Sequence, residues 1–144
     1  MITVKVKKLH PDAKLPTKGS PGAACWDVYA LEDIILYSTG SKPVRTGLSF
    51  ELPRGYEIEV RPRSGLSAKG FIIVNSPGTL DSDYRGELLI LMKDSVFSTN
   101  TSSVKKGDRI AQIKVNEVPP VEFVEVEELS ETERGSKGFG STGR

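Results

Sequence analysis

The chain has 144 residues, which is the length of one domain, and its formal net charge of +1 leaves no strongly basic surface for binding nucleic-acid phosphates. The single cysteine, Cys25, excludes an internal disulfide and a cysteine-based zinc site, and the single histidine, His10, excludes a His-rich metal cluster, so oxygen-bound cations such as Mg²⁺ remain as the metal candidates. No apolar stretch approaches the roughly 20 residues that span a bilayer, and no signal-peptide pattern opens the chain, so we expect a cytoplasmic protein without membrane contact.

Short strands separated by turns are the pattern of the first 60 residues. Apolar and polar residues alternate over 2–6, and short apolar runs lie at 34–37, 44–52 and 56–60. Glycine and proline turns interrupt them about every 8–12 residues. The sequence therefore predicts an all-β fold of the sandwich or jelly-roll type.

A single acid, Asp27, lies among small and apolar residues in the segment 23–30. One interpretation is a short strand with Asp27 at an edge or in a turn. The other is a carboxylate that points into a cleft, and this segment alone does not decide between them.

The one helix candidate covers residues 65–69 and is closed by Gly70. Arg63, the Ser64 hydroxyl and the free N–H groups of a helix start, with Gly65 leaving the backbone open, together form an anion site. In the plainer alternative, Ser64 only caps the helix and Arg63 forms a surface ion pair.

Two apolar runs, 71–74 and 88–92, flank a segment rich in turn-forming residues, which predicts two strands joined by a hairpin-like connection. Gly78 removes the side chain that would keep a ligand from the backbone, so a flat heterocycle can be recognised there. Two carboxylates, one phenol and one guanidinium follow within five residues: Asp81, Asp83, Tyr84 and Arg85. The alternative is a solvated polar loop.

Further strands are predicted at 110–115 and 121–126, the second with acids on one face. Asp108 and Arg109 are interpreted as a structural salt bridge. Gln112 is a candidate donor to a phosphate oxygen.

The last eleven residues contain four glycines and one aromatic residue, Phe139. Such a terminus is either disordered or an arm that closes over a nucleotide. In the second case Phe139 lies on the base, and Arg134, Ser141 and Thr142 surround the phosphates.

Five segments, 22–30, 61–68, 75–86, 107–112 and 134–143, resemble in order and spacing the motifs of the homotrimeric deoxyuridine triphosphatases (dUTPases). The resemblance implies a jelly-roll-like β-barrel over residues 1–129, with one short helix, and a flexible glycine-rich arm over 130–144. It also implies a homotrimer in which the uracil hairpin, the phosphate motifs and the arm of each site come from different subunits.

For the base and the sugar, the resemblance assigns the turn backbone and the Asn75 side chain to uracil. A tight turn excludes the 5-methyl group of thymine, and cytosine presents the wrong donor pattern. Tyr84 would lie under the deoxyribose and reject a 2′-hydroxyl, and Phe139 would stack on the uracil. The implied base-binding residues are Asn75, Gly78, Thr79 and Leu80.

For the chemistry, the resemblance implies that Asp81 activates a water molecule that attacks the α-phosphorus of dUTP and releases pyrophosphate. Aspartate is ionised at pH 7 and accepts the proton without special tuning. Mg²⁺ would bridge the phosphates, and Asp27 would reach it through bound water. The implied phosphate-binding residues are Arg63, Ser64, Gly65, Gln112, Arg134, Gly138, Gly140, Ser141 and Thr142.

Two departures from the family pattern are Cys25-Trp26 ahead of Asp27 and Lys137 in the arm. Trp26 either alters the packing beside the sugar or faces the core. Two rival interpretations are a related dCTP deaminase, for which the hairpin lacks an additional acid–base residue, and a scaffold that binds regulatory proteins. The expected physiological effect is to limit uracil in DNA and supply dUMP for thymidylate synthesis.

Overall fold

The computed structural model describes residues 1–95 and 102–138, and their regular structure is almost entirely β-sheet. The elements are, in chain order, β1 (Lys5–Lys8), β2 (Thr17–Lys18), β3 (Trp26–Tyr29), β4 (Ile34–Leu36), β5 (Lys42–Arg45), β6 (Leu48–Glu51), β7 (Tyr56–Arg61), α1 (Ser64–Ser67), β8 (Phe71–Ile73), β9 (Gly78–Leu80), β10 (Leu89–Asp94), β11 (Ser102–Val104) and β12 (Arg109–Glu117). The predicted all-β, jelly-roll-like fold with one short helix is confirmed.

The largest sheet has five antiparallel strands in the order β2-β3-β12-β7-β9. A three-stranded sheet, β5-β10-β8, and the pairs β1-β6 and β4-β11 complete the described structure. In β7, Ile58 and Val60 are buried while Glu57, Glu59 and Arg61 remain partly exposed, because successive strand side chains point to opposite faces. The buried faces of the sheets enclose one hydrophobic core.

The apolar run 44–52 forms two strands, so the prediction of one continuous strand is wrong. β5 ends at Arg45 and pairs with β10, whereas β6 begins at Leu48 and pairs with β1. Gly47 lies between them with φ of +70°, a conformation that glycine adopts without strain. A Cβ at this position would lie 2.8 Å from Cβ of Ala13, so the turn also depends on close packing.

The hairpin-like connection and the short helix are both confirmed. β8 and β10 pair in antiparallel fashion, and the chain between them also forms β9, which pairs with β7 instead. Gly70 follows α1 with φ of +89°. α1 has four residues, and no helix in the described ranges has the length and apolarity to cross a bilayer.

The segment 121–126 forms no strand, so that prediction is wrong for the single chain. β12 ends at Glu117, and Pro119 and Pro120 follow it. The apolar side chains beyond the prolines are exposed, Phe123 almost completely at 97%. An alternating pattern becomes a strand only when a neighbouring strand accepts its hydrogen bonds, and in the described chain none pairs with this segment.

Candidate active site

A pocket of about 290 Å³ is lined by residues of β9, β10 and the connections beside them. Six residues that the sequence assigned to base, sugar and water activation lie on its wall: Asn75, Gly78, Thr79, Leu80, Asp81 and Tyr84. The structure therefore brings together all the predicted base-side residues of the described chain.

The remaining wall of this pocket is largely apolar and was missed by the sequence analysis. It consists of Val60, Ile73, Glu87, Leu88, Leu89, Ile90 and Leu91. Gly78 pairs with Val60 in the β7–β9 ladder, and a Cβ on Gly78 would lie 3.4 Å from Cβ of Val60, in van der Waals contact. The apolar runs on either side of the turn were the available signal, because strands that carry a turn also supply the wall behind it.

The turn after β9 is held by several backbone contacts, while its first carboxylate stays free. The Tyr84 N–H donates to the Asp81 carbonyl at 3.2 Å, and the Arg85 guanidinium donates to the carbonyls of Ser82 at 2.7 Å and Tyr84 at 3.0 Å. The Ser49 hydroxyl donates to the Arg85 carbonyl at 2.7 Å. Asp81 is exposed, and its carboxylate has no hydrogen-bond or ion-pair partner within the described ranges.

A second group of predicted residues forms an ion cluster around Asp27. Its carboxylate accepts from Arg63 Nε at 2.8 Å and from Arg109 Nη1 at 3.3 Å, and is only 12% exposed. Arg63 Nη1 also donates to the Arg109 carbonyl at 3.3 Å. Asp27 lies inside β3 and not at a turn, and the cluster joins β3, β12 and the connection before α1. Two guanidinium groups and one carboxylate leave it net positive.

The predicted Asp108–Arg109 salt bridge is wrong. Asp108 Oδ2 accepts the Lys105 N–H at 2.8 Å, and Arg109 pairs with Asp27 instead. Side chains of consecutive residues in extended chain point in opposite directions, so neighbours rarely pair. Arg109 joins the site through a partner 82 positions earlier, which no local pattern reveals.

Gln112 and Ser64 lie near the ion cluster. Gln112 stands opposite Asp27 on β3 and Arg61 on β7, and its Nε2 donates to the Pro62 carbonyl at 2.8 Å. The N-cap residue of α1 is Arg63, and no side-chain hydrogen bond caps the helix, so the interpretation of Ser64 as a cap is wrong. A Cβ on Gly65 would meet nothing within 4 Å, so the approach to the start of α1 is open.

Arg61, which begins the same motif, is held by a neighbour. Its Nη2 donates to Glu59 Oε2 at 3.2 Å, and Asn116 Nδ2 donates to the same oxygen at 3.0 Å. The hydrogen bond from Arg61 lowers the pKa of the Glu59 carboxyl below its ordinary value. Within residues 1–95 and 102–138, no three His, Cys, Asp or Glu side chains are grouped closely enough to hold a metal ion by themselves.

Strand register separates Asp81 from the ion cluster within one chain. β7 and β9 are antiparallel, with Ile58 opposite Leu80. Asp81 continues from Leu80 in one direction, whereas Arg63 lies five residues beyond Ile58 in the other. Together these steps make an offset of six residues, which at about 3.3 Å per residue is roughly 20 Å. Asp81 and Arg63 therefore lie at opposite ends of the β7–β9 pair, whereas Gly78, which stands opposite Val60, lies at the same end as Arg63.

The predicted arm residues lie partly within the described chain. Arg134 is exposed, its Nε donates to the Lys137 carbonyl at 3.0 Å, and the Lys137 N–H donates back to the Arg134 carbonyl at 3.2 Å. Gly138 is the last described residue. Four further predicted site residues lie outside the described ranges: Phe139, Gly140, Ser141 and Thr142.

The two unusual residues ahead of Asp27 have different surroundings. Trp26 is partly buried against the core, and Lys18 Nζ lies 4.6 Å from the centre of its ring. Cys25 is a free, partly buried thiol. Trp26 therefore follows the second of its two interpretations and faces the core.

Comparison with known proteins gives a consistent result. A family model described as dUTPase matches residues 11–143. The deoxyuridine 5′-triphosphate nucleotidohydrolase of Nautilia profundicola is 46% identical over 144 residues, covering 99% of this chain and 100% of that protein. The protein of the same name from Helicobacter hepaticus is 45% identical over 97% of this chain and 88% of its own length. A solved structure of a variant dUTPase from Staphylococcus bacteriophage 80alpha with dUpNHpp has a TM-score of 0.87 at 28% identity, with 99% of both chains covered.

Proposed function

This chain belongs to the dUTPase family, and we propose on that premise that it hydrolyses dUTP to dUMP and pyrophosphate. The observation that carries the proposal is the 290 Å³ pocket, which gathers the predicted uracil and sugar residues and ends at the free carboxylate of Asp81. A flat, largely apolar cavity edged by turn backbone fits a small heterocycle.

Uracil recognition is assigned to the turn backbone over residues 75–80 and to the Asn75 side chain. The pairing of Gly78 with Val60 in the β7–β9 ladder supports this assignment, because the ladder holds the turn backbone in place against a larger base. A 5-methyl group would clash, and cytosine would leave backbone donors and acceptors unpaired. Tyr84, on the same wall, would contact the deoxyribose and exclude a 2′-hydroxyl.

Asp81 is proposed as the general base. It accepts a proton from water as the water oxygen bonds to the α-phosphorus, and the bond from that phosphorus to the bridging oxygen breaks, which releases pyrophosphate. The exposed and unpartnered carboxylate supports this role, since nothing in the described chain competes for its lone pairs. A positioned general base contributes about 10²–10⁴-fold.

Arg63, Ser64, Gly65 and Gln112 are proposed to bind the phosphates, with Arg109 as an additional cation in the same cluster. The net positive charge of the cluster, the free Ser64 hydroxyl and the open start of α1 support this assignment. Positioned donors and charges of this kind supply transition-state stabilisation that a general base alone does not provide.

Asp27 fits an indirect contact with Mg²⁺. Both of its oxygens already accept a hydrogen bond from a guanidinium group, and each keeps a lone pair that a metal-bound water can donate to. Mg²⁺ retains several waters in protein sites, so the residues present suit a contact through water. When bound with the triphosphate, Mg²⁺ would neutralise phosphate charge and orient the reacting group.

A homotrimer with shared active sites is proposed from the resemblance to the dUTPase family, and the strand register supports the sharing of sites between copies. Asp81 and Arg63 would act on the same part of the substrate but lie roughly 20 Å apart along one chain. In this proposal, the phosphate-binding residues of one copy complete the base pocket of another copy. The exposed apolar segment 121–126 and a separate apolar groove of about 760 Å³ beside the chain's first strand give such copies apolar surface to bury.

The chain is divided, in this proposal, into a barrel over 1–129 and an arm over 130–144. Arg134, Gly138, Gly140, Ser141 and Thr142 of the arm would bind the γ-phosphate side, and Phe139 would cover the uracil. The exposed position of Arg134 leaves it available for such a contact. The proposed reaction takes place in the cytoplasm, where it would keep uracil out of DNA and supply dUMP for thymidylate synthesis.

The experiment is a pyrophosphate-release assay with dUTP, UTP, dTTP and dCTP in the presence and absence of Mg²⁺. We expect release from dUTP alone, dependent on the metal. Ammonia release from dCTP would instead indicate a deaminase, and no release from dUTP would favour a scaffold that only binds nucleotide.

A further inference from the structure

Gly86 occupies the space under the Tyr84 ring. A Cβ built on Gly86 would overlap the Tyr84 hydroxyl and Cζ and would lie 3.0 Å from Cε2; these three atoms are its nearest neighbours. The backbone of Gly86 is not in the left-handed region, so another residue can adopt it. The absence of a side chain at position 86 therefore serves the placement of one ring.

The Tyr84 hydroxyl is fixed at its far end by the residue that follows this glycine. It donates to the Glu87 carbonyl at 3.2 Å. Glu87 is itself anchored, because its carboxylate accepts the Gly47 N–H at 2.8 Å and Arg45 Nε at 3.1 and 3.2 Å. The neighbouring Leu88 N–H donates to the Leu48 carbonyl at 2.8 Å. The acceptor for the phenol is thus tied to the turn between β5 and β6.

We propose that Gly86 is a positioning residue for substrate selectivity: it allows the Tyr84 ring to lie flat along the 84–87 turn, with its hydroxyl on the Glu87 carbonyl. The inference rests on the proposed function, in which Tyr84 excludes a 2′-hydroxyl. A methyl group at position 86 turns the ring away from this place. The ring is the exposed end of a flexible side chain, at 45% exposure, so it moves without disturbing the core.

The test compares kcat/KM for dUTP with kcat/KM for UTP in wild type, Gly86→Ala, Tyr84→Ala and the double variant. We expect Gly86→Ala to lower the dUTP preference on the order of tenfold to a hundredfold, as misplacement of a positioning group by about 1 Å does. In the Tyr84→Ala background the same substitution should change nothing, because no ring is left to displace. Unchanged melting temperatures would show that the fold is intact.

A matched control is Gly40→Ala, since a Cβ there meets nothing within 4 Å and its φ is not positive. It should keep the wild-type preference. A Gly86→Ala variant with wild-type preference beside a defective Tyr84→Ala variant would overturn the inference. So would an equal loss in the presence and absence of Tyr84.

The inference and the proposed function can fail separately. If Tyr84→Ala itself leaves the preference unchanged, the sugar filter assigned to Tyr84 is wrong. A crystal structure of Gly86→Ala then decides the positioning role alone: a displaced Tyr84 ring supports it, and a ring still on the Glu87 carbonyl contradicts it.

Discussion

The base side and the phosphate side of the site are built in different ways. The proposed base side is a pocket walled by core side chains and edged by turn backbone, and the Asp81 carboxylate on its wall has no partner among the described residues. The proposed phosphate side is a set of charged side chains from three segments that pair around Asp27 and keep a net positive charge. The shape of the base side therefore depends on core packing, and the charge of the phosphate side depends on ion pairs. Substitutions in the two halves should have different effects on activity and stability.

The largest expected effect comes from the free carboxylate. Asp81→Asn keeps the shape of the pocket but cannot accept a proton from water, so we expect kcat to fall by about 10²–10⁴-fold or more while nucleotide affinity stays near wild type. Single-turnover kinetics and equilibrium binding of a non-hydrolysable dUTP analogue measure the two quantities. Retained turnover would refute the assignment of Asp81 as the base.

Removal of the arm should be the next largest effect. Truncation before Arg134 takes away the exposed Arg134 guanidinium and the proposed Phe139 cover, so hydrolysis should fall by about 10²-fold. The melting temperature and the oligomeric state should not change. A truncated protein with the wild-type rate would assign residues 134–144 no part in catalysis.

The ion cluster should matter for stability as well as for function. Asp27→Asn removes the negative charge between Arg63 and Arg109 and replaces one of the two acceptor oxygens with an NH2 donor, so we expect a loss of about 2 kcal/mol in the free energy of unfolding. Urea denaturation measures this loss. A change below about 0.5 kcal/mol would show that solvent already satisfies the two guanidinium groups.

Asp33→Asn is the matched control with the smallest expected effect. Asp33 also accepts from two basic residues, Lys105 Nζ at 2.9 Å and the Lys106 N–H at 2.8 Å, but it is exposed. The Lys106 N–H, followed by Lys105, lowers the pKa of its carboxyl. Any stabilisation is therefore present above the ordinary pKa of aspartate and is lost as the pH falls through the lowered value. At neutral pH, urea denaturation should detect little change in the free energy of unfolding. A loss equal to that of Asp27→Asn would show that the buried and the exposed carboxylate do not differ in their contribution to stability.

Sequence patterns correctly predicted the features of the fold that depend on residues close together in the chain. The alternation of Glu57, Ile58, Glu59 and Val60 specified a strand with one buried face, and the turn-formers at 75–78 specified the connection that carries the pocket. The turn at Gly47 between β5 and β6 was not predicted. A single glycine inside an apolar run does not show that the chain passes from one sheet to another.

Long-range partners account for the other errors. Arg109 pairs with a residue 82 positions away, so a pattern of neighbours assigned it to Asp108 instead. The segment 121–126 has the alternation of a strand but no partner strand in the described chain, and pattern alone does not supply one. The site prediction did not depend on these long-range contacts. It came from the resemblance to the dUTPase motifs, which identifies residues and not their contacts.

The central claim, that Asp81 of one copy works with Arg63 of another, is tested most directly by complementation. Asp81→Asn and Arg63→Gln chains, each inactive alone, are co-expressed and purified as mixed oligomers. A site is active when one chain supplies an intact Asp81 and a different chain supplies an intact Arg63. In a randomly mixed cyclic assembly, about a quarter of the sites meet this condition. Co-expression of Asp81→Asn with a chain carrying both substitutions is the control and should restore none. Mixed oligomers as inactive as either parent would contradict the account.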